Sequence, residues 1–419
     1  MKSKKWSVSS VEQIPGWALV VVAVCLCIYL LSNFLRYENV IAGNGDIAAY
    51  ERSAVMMNAL RAGVSSDTPN YYPPLANILF LSAENNILGL PFHRSLAVLF
   101  LITGITAIVY LWMTGAKNDS WWTAIAILGS ITLLEPAVFF ARFDFFPMLM
   151  ILLACLSLRT KRVMAAGVFL ILGCALKVAP VFLIPLFFVS IPTERRQEFW
   201  TGMMLGFAGV IIGSFGLLGV QATIDSLTSF FVLRTSMPPY ALSGAASIDI
   251  FVRMLFGSQG TVQWIEPDLG HFDTGLPIVL SPILLLLSAG GAVLFAISAS
   301  RIRNPEQHIL LTASAVLFWL LFATPLLTMH YYLWVLPLPI LWFLERIENT
   351  RTVRPIAALV FACTLLIGAL GQWTYPHLYF DLVDRGTPLA ITVNVVRNLL
   401  VLVAAFACFA AAKEVVKTR

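Results

Sequence analysis

Long apolar runs separated by short polar stretches extend from residue 16 to residue 411. Many of them approach the roughly 20 residues that an α-helix needs to cross a bilayer. We therefore predict an all-α polytopic membrane protein with about twelve transmembrane helices. The predicted spans are 16–34, 94–113, 121–140, 144–158, 163–176, 179–191, 199–218, 277–299, 308–327, 331–344, 355–372 and 389–411.

The fourth, fifth and sixth predicted spans are the shortest. Pro147, Pro180 and Pro185 lie among them. Short or broken helices are tolerated at membrane depth only where they are buried in protein or line a cavity. This part of the chain is therefore expected to face the protein interior.

Composition agrees with a lipid environment. Hydrophobic residues make up 59% of the 419 residues and charged residues only 12%, whereas soluble domains carry about 25% charged residues. The net charge of +5 is too small to indicate a nucleic-acid partner. All six cysteines lie in apolar runs, so neither a disulfide nor a cysteine metal site is predicted.

The distribution of basic residues predicts the orientation. With the N-terminus in the cytoplasm, twelve spans place most of the 27 basic residues inside, but only a minority of the 22 acidic ones. Both termini are then cytoplasmic, and the run 16–34 is a retained first helix. The chain forms one transmembrane domain, 1–419, with two long outer loops at 35–93 and 219–276, where function is expected.

The first outer loop contains a carboxylate that follows two glycines. Asp46 comes after Gly43 and Gly45 and precedes a predicted short helix, 47–62. It is either the N-cap of that helix or a general base held above the membrane. Glu51 would lie on another face of the helix and ranks lower.

The same loop contains Tyr72 next to two prolines, in a sequence that suits a membrane interface. An interfacial anchor and a substrate contact are equally plausible roles for this stretch. The following segment, 75–90, is apolar with a polar middle and is predicted to lie on or dip into the membrane.

Three further positions carry charge close to the predicted outer ends of helices. Arg142 and Asp144 form a local ion pair or part of a binding site. Lys177 would cost roughly 2.5–3.5 kcal/mol at the centre of a spanning helix. It either snorkels to the interface or, together with Arg142, binds an anionic group such as a lipid phosphate.

A histidine and two arginines are further candidates. His330, in the run Thr328 to Trp334, contacts a phosphate or a sugar hydroxyl, or else caps a helix within an aromatic belt. Arg234 and Arg253 in the second outer loop are candidate phosphate partners. No nucleotide-binding loop, metal-ligand spacing or Asp-x-Asp pair occurs, so the sequence predicts neither a metal nor another cofactor.

Four short motifs occur in a defined order between residues 35 and 340. They are Gly45-Asp46 with Tyr50 and then Tyr72-Pro73-Pro74, the run Ala141 to Pro147, Ala165-Ala166-Gly167 with Ala175 to Pro180, and His330 to Pro337. This set resembles the C-type (GT-C) glycosyltransferase superfamily of integral membrane enzymes. Within it, the chain is most similar to the bacterial polyprenyl-phosphate-mannose-dependent α-mannosyltransferases.

The resemblance implies a hexosyltransferase of the plasma membrane, with its site on the extracytoplasmic side. A polyprenyl-phosphate sugar, with mannose favoured, is the implied donor, and a lipid or glycan is the acceptor. Asp46 matches the general base of an inverting transfer, and no metal is required. The implied donor-phosphate ligands are Lys177, Arg142 and His330, and the implied substrate contacts are Tyr50, Tyr72, Asp144, Tyr331 and Arg234.

A transporter or flippase of lipid-linked sugars is the alternative function. Twelve spans and intramembrane charge are equally compatible with that class. A transporter, however, usually has paired halves with broken polar helices at the midplane. The sequence shows no such pairing, and its charged residues collect at the outer rim, so the enzyme is favoured.

Overall fold

The computed structural model describes most of the chain. The described residues are 16–64, 72–86, 89–114, 117–134, 140, 142–236, 239–256, 263–266, 271–273, 279–350, 355–383 and 385–416.

Helices dominate the described residues. In the first half they are α1 (Gly16–Ala42), α2 (Gly45–Arg61), α3 (Pro74–Glu84), α4 (Phe92–Met113), α5 (Lys117–Leu133), α6 (Phe145–Arg159), α7 (Val163–Leu176), α8 (Ile184–Ser190) and α9 (Arg196–Leu218). In the second half they are α10 (Val220–Ser236), α11 (Gly244–Leu255), α12 (Leu280–Ala299), α13 (Ile309–Ala323), α14 (Pro337–Thr350), α15 (Pro355–Gln372), α16 (Tyr379–Val383) and α17 (Pro388–Val416).

Shorter elements join these helices. Two strands, β1 (Gln263–Glu266) and β2 (His271–Asp273), pair antiparallel between α11 and α12. Four 3₁₀ turns and one π turn complete the described structure: Ala179–Leu183, Thr193–Arg195, Pro305–His308, Met329–Trp334 and Trp373–His377.

The prediction of an all-α polytopic membrane protein is confirmed. Within the described ranges, seven helices are long and apolar enough to cross a membrane. Four shorter apolar helices lie at 121–133, 145–159, 163–176 and 179–190. Because these are too short to assign as crossings by length, the total of twelve stays a prediction.

Two helices form the centre of the bundle. Nearly every side chain of α6 and of α13 is buried, which is unusual for a helix that faces lipid. By contrast, α4, α9 and α12 each expose one row of large apolar side chains, such as Leu101, Ile212 and Leu286. Such rows are too apolar to face water, so they mark the surface that contacts lipid tails.

Glycines allow α7 and α9 to pack with their backbones in close contact. A Cβ added to Gly167 would lie 2.5 Å from the carbonyl oxygen of Phe199, and a Cβ on Gly202 would collide with the backbone at Met164. Small residues at a crossing point are the usual device for tight helix packing in membranes. This contact fixes α7, whose last turn leads into Lys177.

The region predicted as the first outer loop is largely helical. The helix predicted over 47–62 is α2, at Gly45–Arg61, and the apolar segment 75–90 begins with α3. The buried amide of Asn77 joins three helices: it accepts a hydrogen bond from Ser53 Oγ at 2.8 Å and donates one to Ser226 Oγ at 2.9 Å. These contacts anchor the helix that begins at Asp46.

The sixth and tenth predicted spans are interrupted near prolines. The run 179–191 consists of a 3₁₀ turn and the seven-residue α8, and the run 331–344 begins in a 3₁₀ turn before α14. Proline removes a backbone donor and so breaks a continuous helix. Both interruptions pack against the buried α13. For the run 179–191 this agrees with the expectation that the short helices around Pro180 and Pro185 face the protein interior, whereas no such expectation was made for the run 331–344.

Candidate functional site

Asp46 lies in the first turn of α2, not at its cap. The capping residue is Asn44, whose side chain accepts a hydrogen bond of 2.9 Å from the backbone N–H of Asp46. The N-cap role considered for Asp46 is therefore wrong, because an asparagine two residues earlier fills that position. The carboxylate is consequently left available for other partners.

The partner of Asp46 is Arg142. The Arg142 guanidinium forms an ion pair with Asp46 Oδ1, and the two side chains are 13% and 31% exposed. Arg142 was expected to pair locally with Asp144, but the turn that opens α6 directs it towards α2 instead. The Arg142 Nε–H has no hydrogen-bond partner within the described structure, so this guanidinium retains a free donor.

The electrostatics of Asp46 reflect two opposing effects. Its pKa is raised above the ordinary aspartate value, because the loss of hydration outweighs the attraction of the Arg142 guanidinium. Asp144 adds a smaller repulsion that also raises this pKa. A carboxylate that holds a proton more strongly than usual is a better general base near neutral pH.

A second carboxylate lies deeper in the protein. Asp144 is completely buried just before α6, and its Oδ1 accepts hydrogen bonds from Lys177 Nζ at 2.7 Å and from Trp334 Nε1 at 2.8 Å. Asp144 Oδ2 lies 3.4 Å from His330 Nε2, which also lies 2.8 Å from Thr328 Oγ1. Residues that are distant in sequence thus meet at one carboxylate.

Aromatic rings enclose Lys177. Its ammonium nitrogen lies 4.1 Å from the ring centre of Tyr331, 4.9 Å from that of Trp334 and 5.0 Å from that of Phe143. A cation at these distances is attracted by the ring faces, more strongly when it is desolvated. Because α7 ends at Leu176 and Lys177 is extended, the side chain points inward instead of snorkelling.

Tyr50 and Tyr72 belong to a packed aromatic cluster together with Phe80 and Phe143. Tyr50 stacks on Phe80 at 4.6 Å, and its ring meets Phe143 edge-on at 5.5 Å. Tyr72 lies edge-on to all three rings. Tyr50 is almost fully buried, and Phe143 is the ring shared with Lys177, so the cluster joins α2 to the Asp144 site.

The second long loop adds less to this site. The side chain of Arg234 lies outside the described residues. Arg253 pairs with Asp249 at 2.9 Å within α11. Of the site residues predicted from the sequence, those that the structure brings together at the charged site are Asp46, Arg142, Asp144, Lys177, His330 and Tyr331.

Arg397, a fully buried residue in α17, was not identified from the sequence. Its guanidinium donates to the carbonyl oxygen of Leu242 at 2.9 Å and contacts Met329 Sδ at 2.8 Å. Asn398 also donates to Leu242, at 3.1 Å. Since Met329 precedes His330, this arginine fixes the turn that carries the histidine, and its position within an apolar helix was the signal for it.

Trp334 was also missed as a member of the site. From sequence it was noted only as part of the run around His330, but its indole N–H donates to Asp144. A buried indole N–H usually needs such a partner. Nothing in the local sequence identifies that partner, because the two residues are 190 positions apart.

A bundle of apolar helices around a cluster of buried and half-buried charges defines an integral membrane protein with a polar site. The family model of glycosyltransferase family 87 matches residues 70–328, more than half of the chain, and the chain belongs to this family. The matched range includes Arg142, Asp144 and Lys177, whereas Asp46 precedes it and His330 follows it. Comparison with curated proteins finds none that matches the chain.

Membership in this family makes the protein a membrane glycosyltransferase. The resemblance to C-type glycosyltransferases is thereby confirmed. The protein acts on a sugar donor and an acceptor in a membrane lipid environment. Nothing in the fold or the family match favours the transporter alternative.

Proposed function

We propose that the enzyme transfers a hexose, with mannose favoured, from a polyprenyl-phosphate donor to a lipid or glycan acceptor with inversion at the anomeric carbon. Asp46 is the general base. The observation that carries this proposal is a half-exposed carboxylate with a raised pKa, paired with an arginine that retains a free donor.

The reaction needs one proton acceptor and one anion site. The Asp46 carboxylate takes the proton of an acceptor hydroxyl while that oxygen attacks the anomeric carbon from the face opposite the phosphate. The bond between the anomeric carbon and the phosphate oxygen breaks, and its electron pair leaves with the lipid phosphate. Positive groups aimed at that oxygen stabilise the developing charge.

Arg142 links the proton acceptor, Asp46, to the site for the donor phosphate. Its guanidinium forms an ion pair with Asp46. A donor phosphate competes for the same guanidinium, whose planar array of donors suits phosphate oxygens. As Arg142 turns to the phosphate, Asp46 loses its ion pair and becomes available to the acceptor hydroxyl. The base is then released when the donor is in place.

His330 and Lys177 complete the proposed phosphate side. His330 is held by Thr328 and lies beside Asp144, so its ring has a defined orientation. Lys177 is neutralised by Asp144 and enclosed by rings, which favours a role through the local electric field over direct contact. Arg142 and His330 are therefore the proposed direct ligands of the phosphate.

The proposed location of the site is the extracytoplasmic face of the plasma membrane, with both termini in the cytoplasm. The bias of basic residues towards the predicted inner loops supports this orientation. Only three residues separate Asp46 from the end of α1, the first spanning helix. With a cytoplasmic N-terminus, the carboxylate emerges at the outer surface, where a lipid-linked donor can present its head group.

The test compares the purified wild type, Asp46→Asn and Glu51→Gln in lipid bilayers. Glu51 is an exposed carboxylate in the same helix and serves as the matched control. Radiolabelled polyprenyl-phosphate-mannose is supplied with a membrane-lipid extract, and label transfer is followed. We expect transfer by the wild type and by Glu51→Gln, and its loss in Asp46→Asn with an unchanged unfolding temperature.

Two other results would change the proposal. Transfer by Asp46→Asn at the wild-type rate would remove Asp46 from the role of base. Transfer from a different lipid-phosphate sugar, with none from the mannosyl lipid, would replace mannose as the donor sugar.

A further inference from the structure

Three polar residues occupy one side of α17, inside an otherwise apolar spanning segment. Asn394, Arg397 and Asn398 are all buried, with exposed fractions of at most 1%. Residues three and four positions apart lie on the same face of a helix, so these side chains face the protein interior together. A charge at this depth of a membrane is costly, and an intramembrane arginine is therefore a candidate for function.

This polar face of α17 holds the segment that precedes α11. Asn394 Nδ2 donates to the carbonyl oxygen of Ala241 at 3.1 Å. Arg397 Nη2 and Asn398 Nδ2 both donate to the carbonyl oxygen of Leu242, at 2.9 Å and 3.1 Å. The central part of the second long loop is therefore tied to the last spanning helix.

Arg397 also contacts the turn Met329–Trp334. Its Nη1 lies 2.8 Å from Met329 Sδ, and its guanidinium carbon lies 5.6 Å from the centre of the Tyr332 ring. Residues three positions apart eclipse one another in a 3₁₀ turn, so Met329 and Tyr332 form one edge of it. A planar guanidinium presents several donors at once. Arg397 therefore bridges this edge and the segment before α11.

Another edge of the same turn faces the charged site. Tyr331 and Trp334 are also three positions apart, and their rings stack at 4.3 Å against Lys177. His330 meets Tyr331 edge-on at 4.7 Å and lies 3.4 Å from Asp144 Oδ2. Because the turn is short, a displacement at the edge that Arg397 contacts moves the histidine ring as well.

We propose that Arg397 is a positioning residue for the donor phosphate. It acts through the Met329–Trp334 turn, whose placement sets the position of the His330 ring. A displacement of about 1 Å at a binding group, caused by a change far from the chemistry, is enough to weaken catalysis strongly. This inference rests on the proposed role of His330 as a direct ligand of the phosphate.

The test is a double-mutant cycle between Arg397 and His330, measured as affinity for sugar-free polyprenyl phosphate in lipid nanodiscs. Arg397→Met keeps an apolar stem, and Leu242 retains Asn398 as a donor. His330→Phe should weaken binding by about 10-fold, the order of one hydrogen bond to a charged group. Arg397→Met should weaken it by no more than that, and should have no further effect once His330 is replaced.

The control variant is Asn394→Leu. Asn394 lies on the same buried face, but its hydrogen bond ends on Ala241. This variant should bind polyprenyl phosphate like the wild type, even if its unfolding temperature falls. In the transfer assay, Arg397→Met should raise the KM for the donor and leave that for the acceptor unchanged, whereas a loss of folded enzyme would lower the rate without changing either KM.

Two results would overturn the inference. One is an unchanged affinity of folded Arg397→Met, and the other is an equal loss of affinity with and without His330, since the arginine would then act elsewhere. Should Arg397→Met fail to fold, Met329→Leu takes its place. It keeps the packing of the turn but removes the sulfur that the guanidinium contacts, and an unchanged affinity would be equally decisive against the role of Arg397.

These outcomes are separable from failure of the proposed function. Wild-type binding by His330→Phe would remove His330 as a phosphate ligand, and the inference with it. Weakened binding by His330→Phe, together with wild-type binding by Arg397→Met, would keep the phosphate ligand and remove only the role of Arg397. The binding assay contains neither sugar nor acceptor, so an absence of mannose transfer affects neither conclusion.

Discussion

Asp46 and Asp144 each face a cation, but they do so in different surroundings. Asp46 lies in the first turn of a helix outside the spanning segments, keeps 31% of its side chain exposed, and has Arg142 as its ion-pair partner. Asp144 is fully buried and shared among Lys177, Trp334 and His330. The first carboxylate is accessible to a substrate, whereas the second is enclosed by the protein.

The two surroundings suit different roles: proton transfer for Asp46 and structural support for Asp144. A carboxylate with one displaceable partner can accept a proton, since only one interaction has to be given up. A buried carboxylate with several partners holds the α6 turn, the end of α7 and the 329–334 turn together, and removing it leaves a buried cation uncompensated. Four predictions test this division.

The largest effect is expected for catalysis at Asp46. Asp46→Asn should lower kcat by about 10²- to 10⁴-fold, the usual contribution of a general base. Because the ion pair is partly exposed, the unfolding temperature should change little. Initial rates and thermal unfolding of the same preparation measure both quantities. A large drop in the unfolding temperature would mean that Asp46 is structural as well.

The next effect concerns stability at Asp144. Asp144→Asn should destabilise the protein by about 3–5 kcal/mol, because Lys177 then lies buried without a counter-charge. Combining it with Lys177→Met should recover part of that loss, since the unpaired charge is removed. Thermal unfolding of both single variants and the double variant provides the measurement. Additive losses would contradict a direct pair.

A smaller effect is expected at Trp334. Trp334→Phe keeps an aromatic ring but removes the N–H that donates to Asp144, and a hydrogen bond to a charged group contributes about 1.5–3 kcal/mol. The unfolding temperature should fall by less than in Asp144→Asn. Trp121→Phe, at an exposed position, is the control and should leave it unchanged.

The smallest effect is a shift in pH dependence. Asp46 must be deprotonated to act as a base, so kcat/KM should fall as the pH is lowered. Because the pKa of Asp46 is raised, this fall should begin at a higher pH than it would for an ordinary aspartate, whose pKa is about 3.9. Arg142→Gln removes the opposing cation and should raise this pKa further. The acid limb should then move to higher pH. A limb that does not move would separate Arg142 from the base.

The apolar pattern predicted the fold class because the bilayer imposes helices on any apolar stretch long enough to cross it. The same pattern could not give the number of crossings. Runs 144–158 and 163–176 are too short to be assigned by length, and run 179–191 is a 3₁₀ turn with a short helix. Their depth depends on packing around α13, which no local pattern records.

The charged positions were recognisable in sequence because a charge in an apolar run is costly and therefore informative. Lys177 was found in this way and Arg142 at a predicted helix end, whereas Asp46 was found from the glycine turn before it and His330 from its aromatic run. Their ion-pair partners were not predicted correctly. Proximity in sequence suggested a local Arg142–Asp144 pair, whereas the structure contains the pairs Asp46–Arg142 and Asp144–Lys177. Pairing depends on where side chains point, and the turn before α6 sends these two neighbours in different directions.

The sequence by itself determined a helical membrane protein, the region of its first polar loop and the residue types of its site. Only the tertiary structure decided which carboxylate is accessible and which is buried, and that Arg397 holds the turn of His330. Helix formation follows from local hydrogen bonding and solvent. Accessibility follows from contacts between residues on different helices, from 33 positions apart for Asp144 and Lys177 to 190 for Asp144 and Trp334, which only the packed bundle creates.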